Sequence, residues 1–554
     1  MVKNDFNLIV MKWVTIAIPI MLFSATSWLY GEGTSYSFFY RIYFIDKGGN
    51  QTANFAPEDL LTSRALERRQ KSGILVPDFR DIPVYTGYLN QISSLGFKLH
   101  CTSKWMNTAL FKTYAQADIN LLLNLPFISE VKIVKSPGKK NNYNDKLKFE
   151  ISQTDLPPFD RPITMVNGYP IHNSGYYGKN VLIAILDEGF FLADKISSLN
   201  SLRNRNGITA TYDFIKKNES VYNISTHGTA VLSVMAGKIP GMIEGTAPEA
   251  DYLLLNTEEK ESEFPCEEDF WAAGAEFADS LGVDIISSSL GYYNFDDPDL
   301  NYKFSDLDGN TSFVTRVADI AASKGILVIN SAGNERNKDW ERIICPADGD
   351  SVVAVGAVDG YNLISGFSSA GPSADGQIKP DNVTMGVSVP AQISVDSIIR
   401  VNGTSFSCPI LSGMAACLIQ AVPQATNSDI IDAFHLSADR YDSPDSLYGY
   451  GIPDMVSALI HLQNIYIKVP TEESVAGPNP TSGNIEITFR EPTGSITVEI
   501  ISMSGKLIFR KEYPDFAGRT LLINALQNKR QGIYFIRIIK NSSVSVHKII
   551  KLIN

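Results

Sequence analysis

The sequence predicts an α/β protein. A parallel sheet flanked by helices forms its middle, a small α+β unit precedes it, and a β-sandwich follows. Three observations lead there. Continuous apolar runs such as Val181–Leu186, Tyr252–Leu255 and Ile326–Ile329 alternate with helix-patterned stretches near Cys266–Leu281 and Phe313–Ser323. Strands buried on both faces need such runs, and their alternation with helices implies βαβ units with right-handed crossovers. Upstream, residues 34–148 mix strand-like runs with charged helical ones. From Thr471 onward, short alternating strands separated by turns replace the helical pattern.

At 554 residues the chain exceeds one hydrophobic core, so several domains are expected. Hydrophobic residues at 44% against 19% charged describe globular protein rather than disorder. A net charge of −12 and the lack of any basic cluster argue against a nucleic-acid partner.

The N-terminal residues 1–27 read as a secretory signal. Lys3 and Lys12 are basic, Trp13–Phe23 is apolar, and the small residues Ala25 and Ser27 follow. The apolar run is shorter than the ~20 residues of a membrane helix. No later segment reads as a bilayer span, so the mature protein is expected to be soluble or surface-tethered. Within residues 34–148, Tyr40–Ile45 reads as a strand and Pro57–Lys71 as one charged helix. Leu89–Gly96 is a second helix, followed by a strand at Phe97–His100. Ile119–Leu125 and Val131–Val134 add a helix and a strand. The polar, turn-rich stretch Ser136–Asn142 is a linker.

Residues 150–465 carry the chemistry. Gly403-Thr404-Ser405-Phe406-Ser407-Cys408-Pro409 places a serine at the start of an apolar helix, with Pro409 expected in its first turn. There the free amides and the helix dipole stabilise developing negative charge. His227-Gly228-Thr229-Ala230-Val231 puts a histidine at another helix start. The Val181–Leu186 run ends in Asp187-Glu188-Gly189, at the strand end where open α/β sheets build their sites. A base, an orienting acid and a nucleophile are therefore all present. Taken singly, each is an ordinary structural residue; only the set points to catalysis.

In this order and setting, the DEG, HGTAV and NGTSFSCP motifs resemble the subtilisin-like serine proteases. The chain order distinguishes that family from others with the same three residue types. The resemblance implies the following roles. Ser405 would be the nucleophile, His227 the general base and Asp187 its orienting acid. Asn334, in Ser331-Ala332-Gly333-Asn334, would donate to the oxyanion. Ser289, Leu290 and Gly291 would bind an extended peptide along its backbone. Residues 34–148 would be a propeptide that assists folding and blocks the cleft, a permanent N-terminal domain being the alternative. Two departures stand out: Glu188 occupies a position where the family has a hydroxyl, and Phe406-Ser407 replace Met-Ala. The implied activity is peptide hydrolysis through an acyl-enzyme by a secreted proenzyme, with a protein or peptide substrate and a monomeric state. The alternative is a catalytically silent surface binding protein on the same scaffold.

In residues 471–554, the PNPTSG opening, the Met503–Lys506 turn, Gly532–Phe535 and a basic tail resemble the type IX secretion C-terminal sorting domain. That implies secretion machinery as a partner and an extracellular or outer-membrane-surface location; an ordinary adhesion module is the alternative. Five cysteines are too few for a disulfide framework, although Cys266 and Cys345 could pair. Cys408 is expected to be buried rather than nucleophilic. No cofactor and no metal site is expected. The acidic loop with Asp296, Asp297, Asp299, Asp306 and Asp308 lacks calcium-loop spacing.

Overall fold

In the computed structural model, residues 38–137, 149–151, 157–223, 225–466, 473–492, 494–540 and 543–552 are described. The signal segment and residues 138–142 of the linker lie outside them. The centre is a seven-stranded sheet in the order Asn382–Met385, Val352–Val358, Leu327–Ser331, Ile285–Ser288, Leu182–Asp187, Asp251–Asn256, Ile208–Asp213. Every neighbouring pair is parallel. All six residues of Leu182–Asp187 are buried. Ile183 and Ile185 join one helix layer, whereas Leu182, Ala184 and Leu186 join the other. This two-sided burial is why the sequence reads as an uninterrupted apolar run.

The chain runs outward from Leu182–Asp187 on one side, returns, and then builds the other side beginning with Ile285–Ser288. The direction of winding reverses between these two strands. Crevices form at the carboxyl ends of strands where the winding reverses. Asp187 ends one of these strands, and Ser289 follows the other.

One helix layer holds His227–Ala236 and Thr404–Ala421, packed on each other and on the sheet. The opposite layer holds Cys266–Leu281 and Phe313–Ser323. Both of these helices run as the sequence predicts.

The N-terminal unit is a four-stranded antiparallel sheet in the order Lys98–Ser103, Thr108–Thr113, Phe38–Phe44, Ile128–Lys135. The helix expected over Pro57–Lys71 is two pieces, Pro57–Leu60 and Ser63–Lys71. Thr62 divides them. Its hydroxyl caps the second piece through Ala65 N, and its own N–H donates to Ser280 O at 3.0 Å. The strand Thr108–Thr113 was not legible in the sequence. Its TALF run is short and sits directly behind Asn107, which adopts a positive φ of 53°.

The C-terminal residues form two antiparallel sheets, one of three strands and one of four. Their facing side chains make a separate core that includes Ile485, Ile487, Val498, Ile500 and Ile536. This is the predicted sandwich.

Candidate active site

The Leu182–Asp187 strand delivers Asp187 fully buried, and His227 opens its helix at 2% exposure. Nδ1 of His227 lies 2.7 Å from Asp187 Oδ1. The carboxylate can only accept, so Nδ1 carries the proton and Nε2 is left to take one. Asp187 Oδ1 also accepts from Glu188 N at 2.8 Å. Asp187 Oδ2, in contrast, is buried with no hydrogen-bond partner among the described residues. Glu188, the next residue, has no hydroxyl to offer it.

Ser405 is the second residue of the helix Thr404–Ala421 and is 7% exposed. Gly403 precedes the helix at φ 147°, in the region that favours glycine. Pro409 lies inside the helix rather than in its first turn, which corrects the sequence-based expectation. The consequence is local and useful. Without an N–H at position 409, the Ser405 carbonyl loses its helical donor. Ser289 replaces it, donating Oγ–H to Ser405 O at 2.9 Å. The proline thus frees a carbonyl that ties the serine turn to the neighbouring strand end.

Asn334 follows the Leu327–Ser331 strand. Its Oδ1 accepts from Thr404 N at 2.9 Å and from Thr404 Oγ1 at 3.0 Å. These contacts hold the carbonyl end of the side chain; a Cβ at Gly403 would lie 3.7 Å from Nδ2. Thr404 was not singled out in the sequence, although a hydroxyl residue directly before the serine was the available signal. Of the three residues expected to line the substrate, two also hold structure. Ser289 props Ser405, and Leu290 O accepts from Asn330 Nδ2 at 2.9 Å.

The segment leaving the N-terminal unit reaches this site. Glu150–Ile151 pairs antiparallel with Ile398–Asn402, the strand that leads into Gly403, with Glu150 opposite Asn402. The Phe149 ring lies 6.1 Å from the His227 ring and 5.5 Å, edge-on, from Phe406. An extended strand therefore already lies along one side of the cleft.

The N-terminal unit is clamped to the helix Cys266–Leu281. Arg41, 3% exposed, reaches Asp269 at 2.7–3.0 Å, Glu268 at 3.1 Å and Pro265 O at 2.6 Å. Glu276 accepts from Ser103 Oγ at 2.6 Å and from Lys104 N and Trp105 N at 3.0 Å. Arg69 spans Asp81 and Asp279, which are all buried. Burial pushes Glu268 and Asp269 above the usual carboxylate range, and Arg41 partly offsets it. His100 Nε2 lies 3.0 Å from Phe214 O, and its pKa is pushed down to about 3 by burial and then by Lys112.

All five cysteines are free thiols, Cys266 and Cys345 included. Cys408 Sγ faces Ile329 O and Ser288 O at 3.4 and 3.5 Å, and burial raises it to about 11. Such a thiol is no nucleophile. In the loop of aspartates, Asp306 and Asp308 accept from nearby backbone amides. Among the described residues, one group of carboxylates is close enough to share a cation: Glu258, Glu263 and Glu267, within 4.8 Å of one another. Glu267 is already engaged by Glu259 N and Phe264 N.

Residues 178–451 match the subtilase family. Those residues form a subtilase domain. Residues 39–155 match the peptidase S8 propeptide domain of Bacteroidota, and residues 477–552 match a secretion system C-terminal sorting domain. The subtilase is 28% identical to subtilisin E of Bacillus subtilis over 370 residues, 66% of this chain and 84% of the relative. It is 29% identical to subtilisin of Bacillus pumilus over 299 residues, 53% of this chain and 97% of the relative. It is a serine endopeptidase made as a zymogen and carried by the type IX system to the outside of the cell or the outer-membrane surface. Its substrates are peptides or proteins, and its sorting domain engages the secretion machinery. Nothing favours the silent binding protein.

Proposed function

We propose that Ser405, His227 and Asp187 carry out the peptide hydrolysis, with Asn334 and the Ser405 N–H as oxyanion donors. The observation that supports this best is the buried 2.7 Å contact between His227 Nδ1 and Asp187 Oδ1. It leaves Nε2 as the base, on a helix packed against the one that carries Ser405 in its first turn. The steps follow from that tautomer. Ser405 Oγ attacks the peptide carbonyl while its proton passes to His227 Nε2. The new oxyanion takes hydrogen bonds from Asn334 Nδ2 and Ser405 N. The C–N bond breaks, and the leaving amine takes the proton from Nε2. Water then attacks the acyl-serine with the same base, releasing the acid and restoring Ser405. Asp187 fixes the ring and stabilises the imidazolium without itself becoming protonated.

In this reading the protease acts as a monomer. The N-terminal unit, with Phe149 and the Glu150–Ile151 strand, keeps substrate out until cleavage. A serine-directed phosphonate should label Ser405 in the matured protein, and Ser405→Ala should abolish peptide turnover. Equal turnover by parent and Ser405→Ala refutes the assignment.

A further inference from the structure

Two backbone stretches are tied to the Ser405 turn. One is Ser289–Gly291, tied to Ser405 O through the Ser289 hydroxyl at 2.9 Å. The other is Ala332–Asn334, tied to Thr404 through Asn334. The opposite side, along Ile398–Asn402, is taken by Phe149–Ile151 beside His227. In the hydrolysis proposed above, the side chain of the residue whose carbonyl Ser405 attacks enters between the two stretches, beside the Asn334 donor. Each presents a glycine there, Gly291 and Gly333. Paired glycines would ordinarily leave a deep slot between the walls.

The slot is filled from below by Ile344. Its backbone is anchored to both walls: Ile344 N donates to Ala332 O at 3.3 Å, and Cys345 exchanges hydrogen bonds with Tyr292 at 2.8 and 3.2 Å. Its side chain stands directly between the glycines. A Cβ on Gly291 would meet Ile344 Cδ1 at 2.2 Å and Cγ1 at 2.4 Å. A Cβ on Gly333 would meet the same two atoms at 3.0–3.1 Å. Ile344 is only 9% exposed and lies against these walls, so it has little room to withdraw.

From this we infer that Ile344 sets cleavage specificity. The acyl-side pocket is shallow and takes a small residue, glycine, alanine or serine, and it rejects aromatic and long side chains. This rests on the proposed roles of Ser405 and Asn334. An isoleucine cannot be compressed, so a large acyl residue either displaces Ile344 or sits too high for its carbonyl to reach the oxyanion donors.

The test uses the matured, secreted enzyme, with active sites counted by phosphonate labelling. Fluorogenic peptides that differ only in the acyl residue, Ala or Phe, give a ratio of kcat/KM. The parent should favour Ala by at least tenfold. Ile344→Gly should lower that ratio at least tenfold by admitting Phe. Ile344→Ala should do so in part, and serves if the glycine variant fails to fold. A parent that cleaves after Phe as well as after Ala overturns the inference, even without a variant. So does a labelled, folded variant that keeps the parent ratio. Loss of phosphonate labelling at Ser405 would instead refute the catalytic assignment on which the inference stands.

Discussion

Arg41→Met should loosen the grip of the propeptide on the enzyme by two to three orders of magnitude. Arg41 belongs to the N-terminal unit and is 3% exposed. Its guanidinium satisfies Asp269 at 2.7–3.0 Å and Glu268 at 3.1 Å, both on the helix Cys266–Leu281. It also lies 3.6 Å from the centre of the Phe313 ring. Methionine keeps much of the packing but leaves two carboxylates buried without their cation. Removing one partner of a buried ion pair costs about 3–5 kcal/mol, which is about 150- to 5,000-fold in affinity. The assay is inhibition of the mature protease by the propeptide supplied in trans, at pH 8. The penalty also has a signature in pH. Both carboxylates have raised pKa values in the complex, so the bound state takes up protons as pH falls. The deficit of the variant should therefore narrow towards pH 5. An inhibition constant within threefold of the parent at pH 8 refutes the claim that this clamp holds the propeptide.

His100 works in the opposite direction. Its pKa is about 3 when buried at the interface, against an ordinary value of ~6.5. Its contribution to binding is thus present above pH 6.5 and is lost as pH falls below it. Because Glu268 and Asp269 titrate with the opposite sign, the comparison is with His100→Gln. Between pH 7.5 and 5 the parent propeptide should lose about 30-fold more affinity than the variant; matching profiles would exclude His100. Ser289→Ala strands the Ser405 carbonyl, a loss of about 1–3 kcal/mol for a buried acceptor. Steady-state kinetics should show kcat down about tenfold with KM little moved, and unchanged kcat would contradict the prop. Iodoacetamide should leave the native enzyme active, and Cys408→Ala should still take the phosphonate at Ser405, because the thiol is buried and raised to about 11. Inactivation that tracks alkylation of Cys408 would reverse that conclusion.

The sheet and the sandwich were legible in the sequence, as were the residues proposed to react. Leu182–Asp187 is buried on both faces, so its character is written in six consecutive residues. The helices Cys266–Leu281 and Phe313–Ser323 likewise carry their own start and stop signals. Asp187 ends an apolar strand, and His227 and Ser405 lie in the first turns of apolar helices, so each sits at the edge of a strong local pattern. What tertiary structure decided depends on contacts between distant segments. The break at Thr62 answers to Ser280 O, not to helix propensity. Pro409 looked like a first-turn residue, and only the fold shows that the carbonyl it frees is claimed by Ser289. Thr404 gains its task from Asn334, seventy positions away. Ile344 carries no motif at all. It matters because the fold places its side chain between two glycines that the sequence sets more than forty residues apart, and side chains in a packed core exclude one another's volume wherever they lie along the chain.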